Sequence, residues 1–200
     1  MIVHLVSKDS RELNYKILSE ELNKLTGQAV KSLTITVNYS FMGYEMTSYG
    51  PEQHAVLTTW LQQRTDPIEH FNLYGNSMKD AQMIEIIDIL IANPSLQLTK
   101  LSISDNDFGL PTLQHLLQLI ENKQIGFTVE GFKPYSNGRF MSEQLQSCEA
   151  KRLIQSIQQY GEAMKSALQS EQRYRFLASA QPGVGSDGSG STPAHTATPF

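Results

Sequence analysis

The sequence predicts an α/β solenoid, a stack of short parallel strands each followed by a helix, and two observations predict it. Segments separated by a period of about 30 residues share one pattern: Ile68, Phe71, Leu73, Asn76 and Met78 recur as Leu98, Leu101, Ile103, Asn106 and Phe108. Behind each, four apolar residues keep the same offsets: Met83, Ile86, Ile87 and Leu90 after Phe71, then Leu113, Leu116, Leu117 and Ile120 after Leu101. Alternation such as Phe71, Leu73 marks a short strand, and the three-and-four spacing marks one face of a helix. A single strand-helix unit cannot bury its apolar side alone, so a fixed period implies neighbours stacked on one continuous core.

The same spacing places the other elements. Val3 and Leu5 stand one such period before Leu33 and Ile35 and form the first strand. An amphipathic stretch from Ser10 to Leu25 follows, with Tyr15, Leu18 and Leu22 on its apolar face. Leu33, Ile35 and Val37 make the second strand, closed by Asn38. The step from Leu33 to Phe71 is longer than the period, which implies about eight inserted residues and puts the intervening helix on Gln53, Val56, Leu57 and Trp60. Phe127 and Val129 are expected to align with Leu101 and Ile103 as a last strand, with Phe132 where an asparagine would stand.

The pattern LxxLxLxxNxL over residues 1–132 resembles leucine-rich repeats of the ribonuclease-inhibitor type, strong in its two middle repeats and degenerate outside them. The resemblance implies parallel strands on a concave face and helices on a convex one. Asn38, Asn76 and Asn106 are then expected to turn inward as structural residues and satisfy backbone groups where the chain leaves each strand.

Beyond the solenoid, Pro134 to Gly138 is a turn-rich joint, so residues 133–140 are expected to link it to a helical segment over 141–180. Leu153, Ile157, Tyr160, Met164 and Ala167 recur there at steps of four and three, a narrow seam suited to capping the last repeat or to self-association through residues 141–178. Gly161 is expected to break that helix in two. In residues 181–200, 13 of 20 are Gly, Pro, Ser or Thr, which predicts a disordered tail.

Sites of chemistry are sparse. With 16 Lys+Arg against 20 Asp+Glu the net charge is -4, which disfavours nucleic acid or an anionic membrane surface as partner. The most apolar later run, Met83 to Ala92, is interrupted by Glu85 and Asp88, so no membrane span is expected. Gly183, Gly185 and Gly188 match GxGxxG, but no strand or helix flanks them, and no cofactor is expected. His4, His54, His70, His115 and His195 lack metal-ligand spacing, so no metal is expected either. One cysteine, Cys148, excludes an internal disulfide framework and points to a reducing, cytoplasmic setting, and the thiol is expected to be buried or inert. Glu85 and Asp88 are expected to be merely solvated.

Recognition of another protein without catalysis is therefore the expected role. On the outward strand face the register exposes His70, Asn72 and Tyr74, then Lys100, Ser102 and Ser104, flanked by Thr34 and Thr36 on one side and Thr128 and Glu130 on the other. The insertion adds Tyr39, Phe41, Met42, Tyr44, Met46 and Tyr49, amphipathic and adaptable side chains favoured at interfaces. Two alternatives stay open: an enzyme using Cys148 or Glu149, and a helix-mediated oligomer. Degenerate repeats, low charge and the small-residue tail resemble secreted leucine-rich-repeat effectors of intracellular bacterial pathogens, which would imply leaderless secretion into a host cytosol.

Overall fold

In chain order the elements are β1 (Ile2–Val6), α1 (Tyr15–Lys24), β2 (Val30–Thr36), β3 (Ser40–Phe41), β4 (Tyr44–Glu45), α2 (Pro51–Gln63), β5 (Ile68–Asn72), α3 (Asp80–Ala92), a 3-10 turn (Pro94–Leu96), β6 (Lys100–Ser102), α4 (Leu110–Glu121), β7 (Thr128–Glu130) and α5 (Cys148–Ser179). The structure is a computed structural model and describes residues 1–6, 15–37, 40–41, 44–45, 49–132, 145 and 147–179. It divides into two units, Met1–Ser166 and Ala167–Phe200. Ala167–Ser179 of the second unit is helical, and the expected tail with its GxGxxG match lies outside the described residues. No helix among the described residues is long and apolar enough to cross a membrane.

β1, β2, β5, β6 and β7 form one sheet in that order, and every neighbouring pair is parallel. Parallel neighbours need a crossover, and the stretch between each pair contains a helix, α1 to α4 in turn. Val3 pairs with Leu33, Leu5 with Ile35, Leu33 with Phe71 and Phe71 with Leu101, the register that the regular period and the insertion before α2 require. The last strand differs. Leu101 pairs with Val129 and not with Phe127, so the register lies one alternation further along the chain than expected. Such a shift leaves the same side chains on the same face, so alternation alone does not fix it. Phe132 therefore does not occupy the asparagine position.

The core lies between sheet and helices. Leu33, Ile35, Phe71, Leu73, Leu101 and Ile103 from the strands meet Leu18, Leu22, Leu57, Leu61, Met83, Ile86, Ile87, Leu113 and Leu116 from the helices, all fully or nearly fully buried. Tyr15, expected on the apolar face of α1, is exposed. Gln53, the polar exception on α2, reaches back to accept a hydrogen bond from Gly50 N (3.2 Å), and Gln82 does the same for Lys79 N (3.1 Å), which satisfies an otherwise orphaned donor at each helix start.

Side chains one repeat apart close the remaining backbone groups. Asn76, fully buried, accepts from Val37 N (2.7 Å) and donates to Ile35 O (2.8 Å) and Leu73 O (2.9 Å). Asn106 accepts from Met78 N (3.0 Å) and donates to Leu73 O (2.8 Å) and Ile103 O (3.1 Å). Asn38 lies outside the described residues. The carboxylate of Asp80, in the first turn of α3, caps α4 by accepting from Gly109 N (2.9 Å), Thr112 N (3.1 Å) and the Thr112 hydroxyl (2.6 Å). At the opposite helix ends, buried Arg64 stacks 4.5 Å from the Trp60 ring and donates to Leu25 O (3.0 Å) and Gln28 O (2.6 Å), and Asn93 donates to Leu61 O (2.8 Å) and Arg64 O (2.9 Å).

At the β7 end, α5 contributes Ala150, Ile154 and Ile157 to the core, and the Tyr160 hydroxyl donates to Ile125 O (2.5 Å). The first unit therefore runs past residue 132, where the repeats were expected to end, and takes in α5 as far as Ser166. The buried line on α5 is Ala150, Ile154, Ile157 and Gly161, rotated from the expected seam, in which Leu153, Tyr160 and Met164 are only half-buried and Ala167 is exposed. Gly161 is buried inside a continuous helix and does not break it.

Candidate functional site: the outer face of the sheet

Side chains alternate across a strand, so the residues between the core positions form rows on the other face of the sheet. One row runs Ile2, Ser32, His70, Lys100 and Thr128, and the next runs His4, Thr34, Asn72, Ser102 and Glu130. His70, Asn72, Tyr74, Lys100, Ser102 and Ser104 are all half-buried, and the structure brings the six together around β5 and β6. Their flanking threonines are less accessible, since Thr34, Thr36 and Thr128 are buried. Part of the surface is already committed to internal bonds. Asn72 accepts from Tyr74 N (3.0 Å), which turns the chain at the end of β5, and the Thr36 hydroxyl donates to Tyr74 O (2.9 Å).

Toward β7 the face becomes a charged cleft. Lys100 Nζ lies 2.7 Å from Glu130 Oε2, and Lys165 Nζ from α5 lies 3.7 Å from Glu130 Oε1 and 3.1 Å from Glu162. Partial burial pushes the Glu130 carboxyl up, but the hydrogen bond and charge of Lys100, joined by Lys165, outweigh it and hold the group below its ordinary range. Around this cluster Ser102, Ser104, Thr128, Phe132, Gln158 and Lys165 line a cleft of about 300 Å³. Gly131 permits the close approach that shapes it: its φ is +114°, and a Cβ there would stand 2.4 Å from Ser104 N.

The insertion divides into parts. β3 and β4 form an antiparallel hairpin with Phe41 opposite Tyr44, while Tyr39, Met42, Met46 and the side chains of Phe41 and Tyr44 lie outside the described residues. Tyr49 is corrected from a contact residue to a core residue, because it is only 6% exposed. Its ring packs edge-on against His54, with centroids 5.8 Å apart, and its hydroxyl lies 3.1 Å from His54 Nδ1. His54 Nε2 lies 2.8 Å from Glu85 Oε2, so in the neutral ring Nε2 donates to the carboxylate and Nδ1 accepts from Tyr49. Burial first, and then the Glu85 charge, pushes the Tyr49 hydroxyl far above its ordinary value.

Glu85 and Asp88 are therefore not merely solvated. Asp88 Oδ1 holds His115 Nε2 at 2.7 Å, so α3 is tied to α2 by one histidine and to α4 by another. The signal was present in the sequence: His54 to Glu85 and Asp88 to His115 are 31 and 27 residues apart, each close to one repeat. Among the described residues no group of three or more His, Cys, Asp or Glu could hold a metal. Cys148 is exposed at the start of α5, so of the expected buried or inert thiol the buried form does not hold, and the neighbouring Glu149 accepts from Gln114 (3.1 Å). Compared with known proteins, the chain matches no family model and no curated relative.

Proposed function

We propose that this chain is a non-catalytic protein-binding module of the leucine-rich-repeat type, whose partner lies across the outer face of β5 and β6. One observation carries the reading: the sheet turns its apolar side to the helices and leaves His70, Asn72, Tyr74, Lys100, Ser102 and Ser104 half-buried in matched rows on the other side. Such a face suits recognition because four of its six positions lie in strands and Tyr74 and Ser104 lie in the turns that directly follow them, so little order is lost on binding. Tyr74 supplies an amphipathic anchor, and the neutral polar groups supply hydrogen bonds. The paired charges of Lys100, Glu130 and Lys165 sit at the rim, where they select partners more than they strengthen binding.

The test is affinity capture from cytosol followed by a direct binding measurement, using the full chain and a triple variant carrying His70→Ala, Tyr74→Ala and Ser102→Arg. The expected result is at least about a hundredfold loss of affinity for the captured protein, as removal of an interface anchor produces, with an unchanged melting temperature. Full binding by the triple variant, with loss on deleting residues 39–46 instead, would move the site to the insertion and overturn the proposal.

A further inference from the structure

β1 pairs with β2 on one side, and among the described residues no strand pairs with the other. Edge strands are normally protected by a lysine, a proline, a bulge or an inward charge. β1 reads Ile, Val, His, Leu, Val, with neither lysine nor proline and no acidic residue. Among the described residues the large exposed apolar side chains are gathered in the first repeat: Met1 at 52%, Ile2 at 63%, and Tyr15 and Ile17 on α1 at 37% each. Helix geometry fixes the side on which Ile17 stands. Ser19, Leu22 and Asn23 line a crevice shared with α2, and Leu18 and Leu22 are buried in the core. At about 100° per residue, Ile17 falls on the far side of Leu18 from Ser19, toward the open edge.

The strand's own order of residues selects the occupant. Ile2 to Val6 is symmetric in residue class about His4, so antiparallel pairing with a second copy, on a two-fold axis through His4, sets Ile2 against Val6, Val3 against Leu5 and His4 against its equivalent. In that register Val3 and Leu5 of both copies meet on the helix side and carry the core across the junction, while the two His4 side chains meet on the outer face. We propose that the chain self-associates through β1, two copies joining edge to edge in antiparallel fashion so that their five-stranded sheets become continuous. The contact is one short strand with Ile17 beside it, smaller than the roughly 1,200–2,000 Å² of a stable complex, so the dimer is weak and concentration-dependent. It does not depend on the binding role proposed above, although it would set two outer faces side by side.

Sedimentation of the 200-residue chain across roughly 1 μM to 1 mM, the range of weak complexes, is expected to show the mass rising from one chain to two. Amide exchange within β1 slows in parallel, a readout that needs no variant. His4→Asp and His4→Lys each place like charges across the axis, and each is expected to weaken association by about tenfold or more. His4 is exposed, so both variants keep the monomer fold, and an equimolar mixture of the two restores the two-chain species. A single-chain mass at every concentration overturns the proposal. So does a dimer indifferent to both variants, which would place the interface elsewhere, or a mixture that fails to associate.

Discussion

The two ends of the sheet meet the same problem differently. At the β7 end, α5 lays Ala150, Ile154 and Ile157 over the last repeat, and Phe132 packs edge-on against Phe108 with centroids 6.5 Å apart. At the β1 end, Ile2 is 63% exposed and Ile17 37% exposed, and Val3 is only partly covered. A terminal repeat has one neighbour instead of two, so its apolar residues are covered by an added element or stay available to another surface. This chain shows both outcomes in one molecule, which separates residues buried in the fold from residues left exposed at its surface.

The sharpest way to break that contrast is to put the same charge at each end. Ile157→Asp buries a carboxylate where the side chain is 1% exposed and is expected to cost more than about 4 kcal/mol. Ile2→Asp is expected to change stability by less than about 0.5 kcal/mol, and thermal denaturation of the two variants reads the difference directly. A similar loss at both ends would mean that β1 is covered in solution. Next in size is Tyr160→Phe, which removes the donor to Ile125 O and is expected to cost about 1 kcal/mol, or a few degrees in Tm. No change there would show that α5 is held by apolar contact alone.

The smallest effect sharpens the cleft. Because the folded Glu130 carboxyl lies below its ordinary 4.5, its pairing stabilises the fold fully above that pH, and the contribution fades as pH falls through the lowered folded value. Glu130 is more than one-third exposed, so solvent screening keeps the effect small. In acid denaturation the stability difference between the native chain and Glu130→Gln is expected to shrink as pH drops below about 4.5. A constant difference would show that Lys100 and Lys165 do not hold the group.

Much of the fold was legible because repetition turns one local pattern into several independent readings. Registers from Val3 through Leu101 could be counted along the chain, since a core residue must reappear one repeat later beside its predecessor. Where repetition fades, so does the reading. The β7 register slipped by one alternation, because Phe127 and Val129 are both buried and either satisfies the pattern. Tyr49 was misread because a tyrosine in an insertion has the same composition whether it faces water or, as here, His54 and the core. The six positions on the outer face followed from alternation alone, whereas the cleft beside them needed Lys165 and Gln158 from α5, which no repeat spacing connects to β7.

By itself the sequence determined the strand-helix alternation, the parallel order of the sheet and the core-facing side chains of the middle strands, because these depend on spacing, and spacing is a property of the chain. Tertiary structure alone decided which carbonyls Arg64 closes, which helix Asp80 caps and which side of α5 is buried. Those outcomes depend on where an atom ends up relative to one that is 29 to 39 residues away, and several side chains of the right chemistry compete for each place. Only packing chooses among them, because a buried polar group left without a partner costs more than any local preference can return.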